Sequence, residues 1–307
     1  MNPRIVVMGS VNMDLVVRGP RIPVPGETIL GESLSEYPGG KGANQAVAAA
    51  RAGGPVAMVG CVGDDAFGRS LRASLDQAGV VTTRLAVRGA RSGVALIEVA
   101  ASGENSIVVV PGANALVTHA DAEDALAALP RAEILLLQLE IPIEAVEGAA
   151  AAAKRRDIRV LLDPAPACPL SDRLLSTVDF LTPNQQEAAL LTGMPAVGVA
   201  DAPEAARRLL ARGVGMVLVK LGAEGVLIAS AEGMEHLPGH AVATVDTTAA
   251  GDCLAGALAA ALVAGRSPRD AVAFANAAAA LSTTRQGAQT SMPTLDEIER
   301  FRAATHG

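Results

Sequence analysis

The segment Asp246-Thr247-Thr248-Ala249-Ala250-Gly251-Asp252-Cys253 runs from the end of an extended stretch into an apolar helix. Small residues at such a junction let the unpaired amides of a helix start approach an anion closely. The amides of Ala249, Ala250 and Gly251 could hold a phosphate there and stabilise charge as it transfers. Asp252 stands where an acceptor hydroxyl would meet that phosphate, so its carboxylate could take the hydroxyl proton. By itself, Asp252 reads more readily as a carboxylate that merely favours a helix N-terminus through the dipole.

A second glycine-rich turn, Tyr37-Pro38-Gly39-Gly40-Lys41-Gly42-Ala43-Asn44, also opens a helix. It is not a Walker A loop: Ser35 stands where the first glycine belongs, and Gly42 replaces the magnesium-binding Ser or Thr. Lys41, Asn44 and the backbone at Gly40 could face a polyhydroxylated ligand, or the turn could be only a tight connection. Asn12 and Asp14 follow the first apolar run, at the carboxyl edge where open α/β sheets place ligands. An amide and a carboxylate two residues apart suit the mixed donors and acceptors of a sugar, or a solvated turn. Glu140, just after the run Ile134 to Gln138, occupies an equivalent edge. In Thr182-Pro183-Asn184-Gln185-Gln186-Glu187, Asn184 and Glu187 have capping-box spacing, while Glu187 could instead order magnesium waters beside phosphates.

The elements that must position these residues follow from hydrophobic patterning. Short apolar, β-branched runs recur at 4–9, 56–60, 134–138, 158–163, 178–181 and 214–220. Alanine-rich helical stretches such as 44–52, 66–78 and 143–156 lie between many of them. Alternating βα units predict an α/β fold: a doubly wound, mostly parallel central sheet with helices on both faces. Residues 13–37 and 93–110 break the rhythm and read as hairpin material, the second around the turn Ala101-Ser102-Gly103-Glu104. They are predicted to pair into a small sheet that closes as a lid over a core of residues 1–12, 38–92 and 111–307. Helices are predicted at 249–264, 268–284 and 294–304.

Composition narrows the function classes. The 307 residues carry a formal net charge of −7 with no clustered basic stripe, which argues against a nucleic-acid partner. No uncharged apolar run approaches the roughly 18 residues needed to cross a bilayer, and the amino terminus has no long secretory h-region, so a cytoplasmic protein is expected. Cys61, Cys168 and Cys253 are widely spaced and form no C-x-x-C pair, which indicates neither a disulfide framework nor a zinc site. Pro238 and Gly239 separate His236 from His240 and remove the helix that would align them on a metal.

Taken in this order, the segments resemble the ribokinase/PfkB-type carbohydrate kinase family, which also holds adenosine kinase and fructokinases. Residues 39–63 are similar to the family's first signature and 246–257 to its second, with similar stretches through nearly the whole chain. The resemblance implies ATP-dependent phosphorylation of D-ribose at its 5-hydroxyl, with a sister kinase of 2-deoxyribose, another sugar or a nucleoside as the alternative. It implies that Asn12, Asp14, Gly40, Lys41, Asn44 and Glu140 hold the sugar and that Asp252 is the base. Asn184, Lys220, Leu221, Gly222, Ala223, Glu224, Gly225, Gly251 and Asn276 would line the ATP site, with Glu187 near Mg2+. A K+ ion is implied beside the phosphate loop, bound by Asp246, Thr248, Ser282, Arg285, Gly287 and Ser291. The flap is implied to serve as a lid and to pair two subunits as a homodimer. The chain departs from the pattern at Cys253-Leu254-Ala255, where Thr-Phe-Asn is frequent, and at Asn276, where histidine is frequent; both concern the nucleotide side.

Overall fold

The computed structural model describes residues 2–305. Residues 1, 306 and 307, at the ends of the predicted core segments, lie outside the described residues. In chain order the strands are β1 (Ile5–Met8), β2 (Asn12–Gly19), β3 (Ser33–Gly39), β4 (Val56–Gly63), β5 (Val81–Arg88), β6 (Gly93–Ala100), β7 (Asn105–Val110), β8 (Ile134–Leu137), β9 (Arg159–Leu162), β10 (Phe180–Leu181), β11 (Met216–Lys220), β12 (Val226–Ser230) and β13 (Gly233–Leu237). The helices are α1 (Lys41–Arg51), α2 (Ala66–Gln77), α3 (His119–Ala128), α4 (Ile143–Lys154), α5 (Asp172–Leu175), α6 (Gln185–Thr192), α7 (Ala202–Ala211), α8 (Ala250–Val263), α9 (Pro268–Ser282) and α10 (Leu295–Thr305).

Nine strands form the central sheet in the order β13-β12-β11-β10-β9-β8-β1-β4-β5. Pairing is parallel from β5 to β11, and β12 and β13 add an antiparallel edge. The strand sequences explain this placement. Ile5–Met8 and Ile134–Leu137 are apolar at every position because both faces of a parallel sheet are covered. Their side chains alternate between two cores. Ile5, Val7, Ile134 and Leu136 pack with α1, α8 and α9, whereas Val6, Met8, Leu135 and Leu137 pack with α3, α4 and α7. Strands β5, β12 and β13 are the elements that the apolar runs did not reveal; β5 and β13 lie at the two edges of the sheet and carry more polar residues, whereas β12, between β11 and β13, is apolar and buried at its first four positions.

Alanine and glycine set how closely the helices approach. A Cβ on Gly256 of α8 would fall 2.4 Å from the Gln45 carbonyl oxygen and 2.6 Å from the Ala48 Cβ, both in α1. Larger side chains at this crossing would force α1 and α8 apart and separate the polar groups they carry at one end. Among the described residues, no helix is long and apolar enough to cross a membrane.

A separate four-stranded sheet has the order β3-β2-β6-β7, with β2/β3 and β6/β7 antiparallel and β2/β6 parallel. Both predicted hairpin segments contribute to it. The first extends beyond its predicted bounds, beginning at Asn12 and ending at Gly39, so sugar-facing candidates lie at the root of this sheet. Every residue of β7 is exposed, including Ile107, Val108, Val109 and Val110.

Candidate active site

At the amino end of α8, Ala249 adopts a left-handed conformation, φ 58 and ψ 16, and turns the chain abruptly into the helix. The amides of Ala249, Gly251 and Asp252 have no hydrogen-bond acceptor among the described residues. The Ala250 amide instead donates to the Thr247 carbonyl at 3.2 Å, so it closes the turn rather than standing open as the sequence predicted. Asp252, in the first turn, is 4% exposed and lines a cavity of about 510 Å³ together with Lys41, Asp163, Glu187 and Lys220.

Asp252 is held from two sides by α1. Asn44 Nδ2 donates to its Oδ2 at 3.0 Å, and Gln45 Nε2 donates to its Oδ1 at 3.0 Å. Burial pushes the Asp252 carboxyl above the ordinary carboxylate range, while the Lys41 ammonium opposes that rise. Burial works against the charge of Lys41, but Asp252, Asp163, Glu140 and Glu187 outweigh it and hold its pKa above the usual lysine value. The result is a desolvated carboxylate paired in charge with a permanent ammonium, an arrangement suited to accept a proton from an alcohol.

The remaining sugar-facing candidates gather around the start of α1. Gly40 has φ +88, and a Cβ there would lie 2.7 Å from the Asn12 amide nitrogen, so only glycine fits this turn. Helix α1 therefore starts at Lys41, earlier than the alanine pattern predicted. Glu140 accepts from Ser10 Oγ at 2.5 Å and from the Lys41 amide at 3.1 Å, which ties the end of β8 to the turn. Asn12 is buried and its Oδ1 accepts from Asn114 Nδ2 at 2.7 Å. Asp14 is driven up to about 7, first by burial and then by the charges of Glu140 and Asp252. Its carboxylate occupies the space that a side chain at Gly39 would need, since a Cβ there would lie 2.1 Å from its Oδ2.

A second cavity of about 540 Å³ adjoins the first, and the two share Lys220, Gly222, Thr247, Ala250 and Gly251. Ala223, Gly225 and Asn276, candidates for the nucleotide side, line the second cavity. Leu221 and Glu224 do not: Leu221 turns into the core, and Glu224 is exposed. The Glu224 carbonyl lies 2.7 Å from His236 Nε2. Asn276 is oriented by a hydrogen bond from its Nδ2 to the Pro238 carbonyl at 2.9 Å. Of Cys253, Leu254 and Ala255, only Leu254 reaches this cavity; the Cys253 thiol is buried in the core and pushed up to about 12 by burial.

Asn184 and Glu187 form a reciprocal capping box at the start of α6. They line the first cavity as well, so the observed cap does not exclude a role toward a ligand. Burial raises the Glu187 carboxyl, opposed by Lys220 with its Nζ 3.9 Å away. In the carboxyl-terminal loop, Asp246 accepts from the amides of Thr248 and Gly287 at 2.9 Å each and is held below the usual range against the effect of burial. The hydroxyls of Ser282 and Ser291 donate to the nearby carbonyls of Ala279 and Ala288, and Arg285 pairs with Glu297. The carbonyls of Thr248, Arg285 and Gly287 accept no hydrogen bond among the described residues.

Several polar residues that were given no site role from the sequence hydrogen-bond to the candidate residues or lie beside them: Ser10, Gln45, Asn114, Gln138, Asp163 and Gln289. Asp163 accepts from Lys220 Nζ at 2.6 Å and Thr182 Oγ1 at 3.2 Å. Gln138 directly follows the wholly apolar strand β8, and Asp163 follows β9, which is apolar after Arg159. That is the same strand-edge signal that singled out Asn12 and Glu140, and applying it to every strand would have found both.

Residues 2–295 match the pfkB family carbohydrate kinases. The chain is 43% identical over 298 residues to the ribokinase of Bacillus subtilis, covering 97% of this chain and 98% of that protein. It is 41% identical over 302 residues to the ribokinase of Haemophilus influenzae, covering 98% and 99%. Among solved structures, Arabidopsis thaliana ribokinase complexed with ribose and ATP superposes with a TM-score of 0.92 at 36% identity, covering 98% of this chain and 99% of that one. A glycine-rich turn facing a buried Asp at an open helix end, in a fold and sequence shared over nearly the full length, places this chain in the pfkB family of carbohydrate kinases.

Proposed function

We propose that this chain transfers the γ-phosphoryl group of ATP to the 5-hydroxyl of D-ribose, giving D-ribose 5-phosphate. The carrying observation is the position of Asp252. Its buried carboxylate lines one cavity, and the open amide of Gly251 lies where that cavity meets the nucleotide-side cavity. A hydroxyl oriented against Asp252 would give up its proton as it attacks the phosphoryl group in line, while the amides of Ala249, Gly251 and Asp252 and the Lys41 ammonium stabilise the transferring charge.

The sugar-side residues support a small, hydroxyl-rich acceptor. Asn12, Asp14, Gly40, Lys41, Asn44 and Glu140 supply amides, carboxylates and an ammonium; a nucleoside base would want aromatic walls, and only 2% of this chain is aromatic. The names of the relatives support ribose as acceptor: the two ribokinases named above reach 41–43% identity, against 36% for those called deoxyribokinase. On the nucleotide side, Asn184, Lys220, Gly222, Ala223, Gly225, Gly251 and Asn276 would contact ATP.

Two ions belong to this reading. Glu187 is a buried carboxylate on the phosphate-side cavity whose raised pKa a cation would relieve, so it suits the water shell of Mg2+. Mg2+ would neutralise phosphate charge when bound. Asp246 and the open carbonyls of Thr248, Arg285 and Gly287 form an all-oxygen set that suits K+, with Ser282 and Ser291 at its margin. The four-stranded sheet, from segments 13–37 and 93–110, would act as lid and as homodimer interface. Its fully exposed apolar edge strand β7 supports that assignment. A cytoplasmic setting fits an ATP-using enzyme with the reduced thiols Cys61 and Cys253.

A coupled ATPase assay with ribose, 2-deoxyribose, fructose and adenosine tests the reading. Ribose should give the highest kcat/KM, and phosphate should appear on the 5-oxygen. A higher kcat/KM for any other acceptor would overturn the ribose assignment.

A further inference from the structure

We propose that Gln45 is a positioning residue of phosphoryl transfer: its carboxamide, shared between Asp252 and Asp163, keeps the base ionised and aimed, and ties it to Lys220 on the nucleotide side. This rests on Asp252 being the base.

Gln45 is completely buried in α1. Its Nε2 donates to Asp252 Oδ1 and to Asp163 Oδ2, each at 3.0 Å, so both amide hydrogens are used. Its Oε1 accepts from Gln138 Nε2 at 2.6 Å. Gln138 is also fully buried, and its own Oε1 has no hydrogen-bond partner among the described residues. A Cβ at Gly9 would lie 1.8 Å from that oxygen, so the backbone of the β1 edge presses against it. The chain of donors therefore has one direction, from Gln138 to Gln45 to the carboxylates. Turning either amide over would set oxygen against oxygen.

The donation from Gln138 and the close approach of the Gly9 backbone fix the orientation of the Gln45 amide. That orientation has a chemical consequence. An NH2 group can donate to a carboxylate but cannot accept from a protonated acid, so Gln45 favours the charged form of Asp252 against the burial that favours the neutral one. It also gives the two carboxylates a shared donor group, which offsets part of the repulsion between them. Asp163 in turn holds Lys220 at 2.6 Å, so a continuous set of hydrogen bonds joins the sugar-side base to a residue lining both cavities.

The test is the pH profile of kcat for Gln45→Met, which keeps side-chain length and removes every polar atom. Loss of a hydrogen bond to a charged group should move the acid limb up by about one pH unit and lower kcat near neutrality by about 10-fold, with ribose KM changed less than about 3-fold. Gln138→Leu removes the unpaired oxygen but leaves Gln45 in place, and it should move the limb the same way by a smaller amount. It decides the matter if Gln45→Met does not fold. In an Asp252→Asn background, Gln45→Met should cost no further activity, because the two act as a unit. An unmoved acid limb in the folded variants, or a loss confined to KM, or full additivity with Asp252→Asn, would overturn the inference. Near wild-type turnover by Asp252→Asn alone would instead remove the base assignment itself, so the two failures are distinguishable.

Discussion

Asn44 stands between Asp252 and Gln289: its Nδ2 donates to Asp252 Oδ2 at 3.0 Å, and its Oδ1 accepts from Gln289 Nε2 at 3.3 Å. Gln289 is itself anchored to α1 and α2, with its carbonyl accepting from Arg51 at 3.1 Å and its Oε1 accepting from Ser74 Oγ at 3.4 Å. The loop before α10 thereby sets which face of Asn44 meets the base. Asn44→Ala, which removes a donor to a charged group, should lower kcat/KM for ribose by about 10- to 100-fold. Gln289→Ala should give a loss of the same kind but smaller. Steady-state kinetics of both variants check the order.

Replacing Asp252 by Asn keeps the shape of the site but removes proton acceptance. The expected loss is about 10²- to 10⁴-fold in kcat with little change in ribose affinity. Single-turnover assays with calorimetric binding of ribose separate the two quantities.

Lys220 and Asp163 form a buried ion pair at 2.6 Å, with side-chain exposures of 13% and 2%. Lys220→Met strands the Asp163 charge and should destabilise the fold by about 3–5 kcal/mol. The double variant with Asp163→Asn should recover a large part of that loss, although not the activity. Urea denaturation of the single and double variants reads the difference.

The Asp14 carboxyl titrates near 7 because burial and two neighbouring carboxylates penalise its charge. Its folded pKa lies above its unfolded value, so the folded state binds the proton more tightly. The penalty is absent at pH well below the unfolded value of about 3.9, grows as pH rises, and is complete above about 7. Asp14→Asn should therefore raise Tm at pH 8, with the gain shrinking steadily toward pH 4, while ribose KM rises. Melting curves across that range test the sign, and a gain independent of pH would contradict it.

The oxygen set around Asp246 predicts activation by a monovalent cation. Turnover in K+ should exceed that in tetramethylammonium at equal ionic strength, and Asp246→Ala should abolish the difference. Equal rates for the wild-type chain in the two salts would refute the ion site.

Much of this molecule is legible from local pattern. Wholly apolar runs such as Ile134–Leu137 mark strands buried on both faces, and the hairpin segments stand apart because they lack the βα rhythm. Asp252 is readable from the small residues that precede it, and Asn12 and Glu140 from their place after apolar strands. The edge strand β13 was not readable in this way, because it is exposed at four of its five positions and has no continuous apolar run; β12 does carry such a run, Val226 to Ala229, and was missed although the signal was there. The opening of α1 at Lys41 was missed because it depends on the positive φ of Gly40, not on helix-forming residues.

By itself, then, the sequence determined the α/β class, the second sheet and the glycine-rich turns, all properties of neighbouring residues whose spacing the backbone makes periodic. Only the tertiary structure decided how the carboxylates are held. Gln45 and Asp252 lie 207 positions apart, and Asn44 and Gln289 are separated by 245. The first pair meets because glycine and alanine let α1 and α8 approach closely, bringing polar ends together in a buried interior where each donor must find an acceptor; the second meets because the segment before α10 packs against α1. No periodicity along the chain encodes that meeting, since it is set by packing distances between elements.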